Sequence, residues 1–184
     1  MTDARDALPN DILSFWREAG RDRWYRQDDT FDTEVCGRFL ELWQTAAAGE
    51  MSSWEASDEG ALALTIVLDQ FPRNMFRDDP LTYSTDPLAR EVAGRAIDRG
   101  VGARIDPALR EFLYMPFMHS EQMPDQLRCI ELFRRTENAE NLGYAERHAD
   151  IIRRFGRFPH RNRILGRATT PEEQAFLDAG GFSG

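Results

Sequence analysis

"TDPLAREVAGRAIDRG", residues 85–100, carries both a start and a stop signal for one helix. Asp86 can cap a helix, and Pro87 suits the first helical position, where a missing N–H costs nothing. Gly100 suits the left-handed residue that closes one. The same punctuation recurs in both directions along the chain, while strand punctuation is poor.

Toward the N-terminus the spacing predicts a short helix over Asp11–Ala19, with Ile12, Leu13 and Trp16 on one side and Gly20 as its stop. A second begins near Asp32, places Val35, Phe39, Leu42, Trp43 and Ala46 at helical spacing, and ends at Gly49. A third begins at Ser57 or Asp58 and runs to about Gln70, where Pro72 should force Phe71 out of helix. Toward the C-terminus "DPALREFLY" repeats the Asp-Pro entry from Asp106, and Pro116 should break the chain. A sixth helix follows from Ser120, or from Gln122 with Pro124 at its first position. A seventh covers Ala139–Phe155, and Thr170 caps an eighth that stops at Gly180 and Gly181. The expectation is an all-α protein, about eight helices in antiparallel pairs, forming a single helical domain over residues 1–184.

A chain of 184 residues with 41% hydrophobic content, twelve Phe and four Trp can bury a substantial core. Its longest apolar run, "ALALTIVL" at 61–68, is too short to cross a bilayer, and "MTDARDALPND" lacks the basic-then-apolar pattern of a signal peptide. No membrane association and a cytoplasmic location are expected. Cys36 and Cys129 fall inside helical patterns and form no C-x-x-C pair, so they read as small hydrophobes. Lysine is absent, a uniformity that codon bias explains, so only the placement of arginine is informative. At net −9 the chain is not expected to bind nucleic acid.

Positive charge gathers in one place. "RRFGRFPHRNRILGR", 153–167, holds six arginines, one histidine and no acid. It echoes "LDQFPRNMFR" at 68–77: an apolar helix end, Phe-Pro, then Arg and Asn. With "YMPFMHSE", 114–121, these make three proline turns anchored by Phe71, Tyr114, Phe117 and Phe158. A rigid turn holds its polar neighbours in place and so lowers the entropy lost on binding.

The expected ligand-binding set is Asp69, Arg73, Asn74, Tyr114, His119, His148, Arg157, His160, Arg161, Asn162 and Arg167. Arg73, Arg157, Arg161 and Arg167 would meet charge, Asn74 and Asn162 would orient the ligand, and Asp69 would hold arginines in position. The ligand would be an anionic small molecule or an acidic peptide. A structural reading stands beside this one: Asp69, Arg73, Arg157 and Arg161 form a buried ionic network where the echoing loops pack together. His148 shares a helix face with Tyr144, Ile151, Ile152 and Phe155, the pattern of a satisfied core histidine.

An alternative of another class is a hydrolase or acid–base enzyme using His119, Glu121 and His148. Ser120 and Glu121 otherwise read as cap and first-turn acid of the sixth helix. His119, Glu121, His148 and His160 offer ligand types suited to zinc or manganese but lack a recognised spacing, so no metal site is assigned. No Walker loop, dinucleotide fingerprint or G-x-S-x-G elbow occurs, and no cofactor is expected.

The phrases "ILSFW", "RFLELW", "LTIVLDQFPRNMFR", "FLYMPFMHSE", "HADIIRRFGRFPHRNRILGR" and "TPEEQAFL" resemble the bacterial family known as domain of unknown function 924, from about Ile12 to Phe182. That resemblance implies a helical fold similar to tetratricopeptide-repeat proteins, with helix pairs in a right-handed superhelix. It implies no activity. The chain itself shows no 34-residue period, and its few helices suit a compact pocket better than a long groove.

Overall fold

The computed structural model describes residues 8–136 and 138–182. The reading of the extreme N-terminus, residues 1–7, lies outside them. The described residues are all-α and contain no strand. Their helices are α1 (Pro9–Trp24), α2 (Asp29–Ala47), α3 (Asp58–Asp69), α4 (Phe71–Met75), α5 (Asp86–Asp98), α6 (Glu111–Met118), α7 (Met123–Arg134), α8 (Ala139–Phe155) and α9 (Pro171–Asp178). Among these residues no helix is long and apolar enough to cross a membrane.

The chain divides into two compact units. The first runs to Arg77 and includes Leu81–Pro116; the second comprises Asp78–Pro80 and the chain from Phe117 onward. The division falls inside α6, at its proline.

In the first unit α3 is buried on every side, from Gly60 to Asp69, which is why its sequence is apolar all round rather than striped. It packs on α1, α2 and α5. Phe15, Trp16, Phe31, Phe39, Phe71 and Phe112 form one aromatic cluster, with Phe39 and Phe71 stacked at 4.9 Å and Trp16 edge-on to Phe112 at 5.4 Å. Each fully buried ring contributes about 1.5–3 kcal/mol.

In the second unit α7 and α8 form a hairpin. Arg134 near the end of α7 meets Glu146 in the first half of α8, as antiparallel packing requires. Ile151, Ile152 and Phe158 form its apolar centre, with Met123, Phe155, Phe176 and Phe182 packed against it. α9 is opened by a capping box: Thr170 Oγ1 accepts from Glu173 N–H, and Glu173 accepts from Thr170 N–H.

The structure departs from the sequence expectations at several punctuation marks. Pro72 does not force Phe71 out of helix. Gln70 keeps helical dihedrals (φ −89°, ψ −46°) and the helix continues at once as α4, where proline falls in the first turn and no N–H is needed. Pro116 does not break the chain either; α6 runs through it, losing one ladder donor among buried neighbours. Asp106 opens a turn rather than a helix: its carboxylate accepts from Ala108 N–H at 2.9 Å and from Arg17, and α6 begins only at Glu111. Asp86 is the first residue of α5 rather than its N-cap, which is Thr85; its carboxylate is taken by Arg73. Gly20 kinks α1 (φ 70°, ψ 173°), and the helix resumes to Trp24.

Candidate functional site: the arginine–histidine loop

The two echoing Phe-Pro segments fall in different units, and each has partners within its own. In the first, Asp69 is fully buried and accepts from Gln70 Nε2 at 2.6 Å. The Arg73 guanidinium lies 3.6 Å from the Asp69 carboxylate, bonds the Asp69 carbonyl, and reaches Asp86 at 3.0 Å. Burial works against the charge on Arg73, and Asp69 and Asp86 together outweigh it, raising its pKa above the ordinary value. Asn74 donates to Asp32 at 2.7 Å, and Arg77 pairs with the same carboxylate. Tyr114 is buried, with its hydroxyl directed at Gly102: a β-carbon there would lie 2.6 Å from the oxygen. These residues make a dense ionic and packed core, the structural alternative in local form.

The other candidates lie in the second unit, around residues 156–170. After α8 ends at Phe155, with Gly156 as its left-handed C-cap, the chain turns through a 3₁₀ segment, Pro159–Arg161. Two carboxylates staple this loop. Glu173, on α9, takes Arg157 in a fork: Nε to Oε1 at 2.5 Å and Nη2 to Oε2 at 2.8 Å. It also accepts from Asn162 Nδ2 at 3.2 Å. Glu121, ahead of α7, accepts the Phe158 amide at 2.8 Å and both arms of Arg167 at 2.8 and 3.0 Å. The forks of Arg157 and Arg167 are thus engaged by carboxylates.

The charges follow from these contacts. The Arg157 hydrogen bonds pull Glu173 down to about 2 against the effect of burial, with the Thr170 amide helping. Burial would raise Glu121, but Arg167 and the Phe158 amide prevail and hold it below its ordinary value.

Two imidazoles sit beside this frame. His148 Nδ1 lies 2.7 Å from the Tyr144 carbonyl, which only accepts, so Nδ1 carries the proton. Burial first, and the neighbouring His119 and Arg161 next, lower its pKa to about 4. His160 is lowered to about 3, by burial and then by Arg161. Both rings are neutral at pH 7, and Nε2 of His148 keeps its lone pair. Arg161 is buried, with its guanidinium 4.6 Å from the Phe158 ring centre. In this loop His160 Nδ1, Asn162 Oδ1 and Arg167 Nε are buried with no hydrogen-bond partner among the described residues.

Among the described residues no group of three or more His, Cys, Asp or Glu side chains is arranged to hold a metal ion. A surface groove of about 510 Å³ runs between α7 and α8, lined by Leu127, Ile130, Arg134, Glu146 and Arg153 among others. It touches none of the residues expected from the sequence, and its Arg134 and Arg153 are paired with Glu146 and Asp150.

Sequence reasoning missed Glu173 and misread Glu121. The pattern Thr170-x-x-Glu173 announces a capping box, which would have placed Glu173 in the first turn of α9. Nothing local announces its partner Arg157. Ser120 does not cap α7, whose N-cap is Gln122. Its hydroxyl instead accepts Gln122 N–H at 3.1 Å and donates to Asp125 at 2.6 Å, which leaves Glu121 turned toward the loop.

Fold and site together define an all-helical protein with an arginine–histidine loop clamped between two carboxylates. The chain belongs to a family of bacterial proteins of unknown function, DUF924, whose model matches residues 12–181. It is similar to a protein of unknown function from Agrobacterium tumefaciens of solved structure: 46% identity, TM-score 0.91, covering 94% of this chain and 98% of that one. No curated protein matches it.

Proposed function

We propose that this protein is a binding module that holds a small anionic molecule, phosphorylated or carboxylated, at the arginine–histidine loop of its second unit. One observation carries the reading. His160 Nδ1, Asn162 Oδ1 and Arg167 Nε are buried and unpartnered among the described residues, within one loop that Glu121 and Glu173 hold rigid. A buried polar group left unpaired costs about 1–3 kcal/mol, so a ligand that engaged these atoms would recover that cost. Rigid framing lowers the entropy lost on binding, and the neighbouring Arg161 favours negative charge. The set mixes a donor, Arg167 Nε–H, with an acceptor, Asn162 Oδ1. That suits an anion that also carries a hydroxyl.

An acid–base enzyme built on His119, Glu121 and His148 draws less support. Both oxygens of Glu121 are committed to Arg167 and Phe158, and His148 Nδ1 is committed to Tyr144. A tetratricopeptide-like superhelix and a cytoplasmic setting stay part of the proposal, the first supported by sequential helices that pack on one another, α2 on α3 and α7 on α8.

Native mass spectrometry of freshly purified protein, followed by calorimetric titration with inorganic phosphate, tests the reading. His160→Ala and Arg161→Gln should each abolish retained ligand and weaken phosphate binding at least tenfold, with melting temperature little changed. Large losses of stability with undiminished binding would show the loop to be scaffold.

A further inference from the structure

The segment after α9 ends its course on the two imidazoles. The Phe182 ring lies edge-on to His148 at 4.5 Å and to His160 at 5.4 Å between centroids. It also packs on the Ile151–Ile152–Phe158 centre of the second unit. His148, buried behind it, keeps only 6% of its surface exposed. Phe182 itself is half-buried.

What holds Phe182 there differs from what holds the loop beneath it. Arg157, Asn162 and Arg167 are fixed by hydrogen bonds to carboxylates. Phe182 makes ring contacts and apolar packing, and no hydrogen bond to any described residue. The last backbone bonds before it come from Gly180 and Gly181, whose amides donate to Leu177 and Phe176 carbonyls at 3.0 and 2.9 Å. Gly180 has φ 75°, which glycine adopts without strain, and glycine carries the widest choice of backbone conformation. Gly181 fits only because it lacks a side chain: a β-carbon would lie 2.5 Å from the Phe176 carbonyl oxygen and 2.7 Å from its ring.

We infer that Phe182 is a displaceable cover over the His148–His160 pair, swung on Gly180 and Gly181, and that it governs access to the arginine–histidine loop. The inference rests on the binding reading above for its purpose, while its geometry stands independently of it. With Phe182 in place its ring packs edge-on against both imidazoles. With Phe182 withdrawn, both imidazoles and the unpartnered Nδ1 of His160 open to a ligand. A small anion then enters where a hydrophobic ring had excluded water. The cover and the ligand compete for the same neighbours, so binding should be slow to start and dependent on the residue at position 182.

Reaction with diethyl pyrocarbonate near neutral pH, read residue by residue by mass spectrometry, measures access to neutral imidazole. Phe182→Ala should speed carbethoxylation of His148 and His160 at least tenfold over the natural chain. Gly181→Ala should do the same with the ring still present, since the added methyl displaces the segment. Unchanged rates at both histidines in the two variants, with circular dichroism showing retained helix, would overturn the cover. Should Phe182→Ala fail to fold, Gly181→Ala decides alone. Titration with inorganic phosphate separates this idea from the binding reading. Faster and tighter binding to Phe182→Ala than to the natural chain supports the cover. Equal rates and affinities defeat the cover and leave the binding reading standing. Faster carbethoxylation with no phosphate binding in any variant supports the cover and defeats an anionic ligand at this site.

Discussion

Arg157 and Glu173 meet fork to fork, Nε on Oε1 at 2.5 Å and Nη2 on Oε2 at 2.8 Å, joining the loop after α8 to the first turn of α9. The same carboxylate completes the capping box of α9 and accepts from Asn162. One side chain therefore helps open a helix and fixes a loop. Glu173→Gln should lower the melting temperature by several degrees, given roughly 2–4 °C for each kcal/mol in a chain of this size. Amide exchange at residues 158–162 should quicken while helix content is kept. Arg157→Lys should fall short of the natural chain, because an ammonium offers no planar fork. Unchanged exchange in Glu173→Gln would remove the carboxylate from the role given to it.

Acid should loosen the second unit at an unusually high pH. His148 is lowered to about 4 and His160 to about 3 from an ordinary value of 6.5. Both are neutral in the fold and protonated in the unfolded chain below 6.5, so unfolding takes up protons as pH falls. Their contribution is complete above pH 6.5 and declines from there to their folded values. The slope is up to about 1.4 kcal/mol per pH unit for each ring. Glu173, lowered from 4.5 to about 2, contributes above pH 4.5 and declines between those values. Denaturant titrations at pH 7.5, 6 and 5 should show the decline beginning near 6.5. His148→Asn with His160→Asn should flatten it, and a flat profile in the natural chain would refute the assignment.

Gly102 admits the Tyr114 hydroxyl at a distance that leaves no room for a side chain. Gly102→Ala should destabilise the first unit by about 1–3 kcal/mol through overpacking. Adding Tyr114→Phe should recover part of that loss, a non-additivity that equilibrium unfolding can read. Fully additive effects would mean the two residues do not press on one another.

Asp69→Asn should cost about 3 kcal/mol, the lower end of the range for breaking a buried ion pair, since Asp86 still answers Arg73. Asp86→Asn should cost a comparable amount, and the double variant more than either. Chemical denaturation measures all three, and a stability loss under 1 kcal/mol in the double variant would contradict the network.

Helix identity was legible in the sequence because it depends on local chemistry. The seventh expected helix has the limits of α8, Ala139–Phe155, and Thr170 caps α9 as its hydroxyl and position suggest. Prolines and acids proved harder to read, since their meaning depends on distant partners. Asp86 carries every mark of a cap, yet Arg73 takes it. Pro72 and Pro116 look like breaks, yet surrounding burial carries helix through or past them. Of the loop, the crowd of arginines was visible and so was its rigid Phe-Pro step. The two carboxylates that answer those arginines were not, for Glu173 lies 16 positions from Arg157 and Glu121 lies 46 from Arg167 along the chain. Sequence proximity says nothing about such pairs.

The thiols offer a practical consequence. Cys129 is fully buried, and burial pushes its pKa far up, so it stays protonated and shielded. Cys36 on α2 is only half-buried. Maleimide dyes added to the native protein should therefore attach at one position, giving an optical reporter on the first unit without any engineered residue.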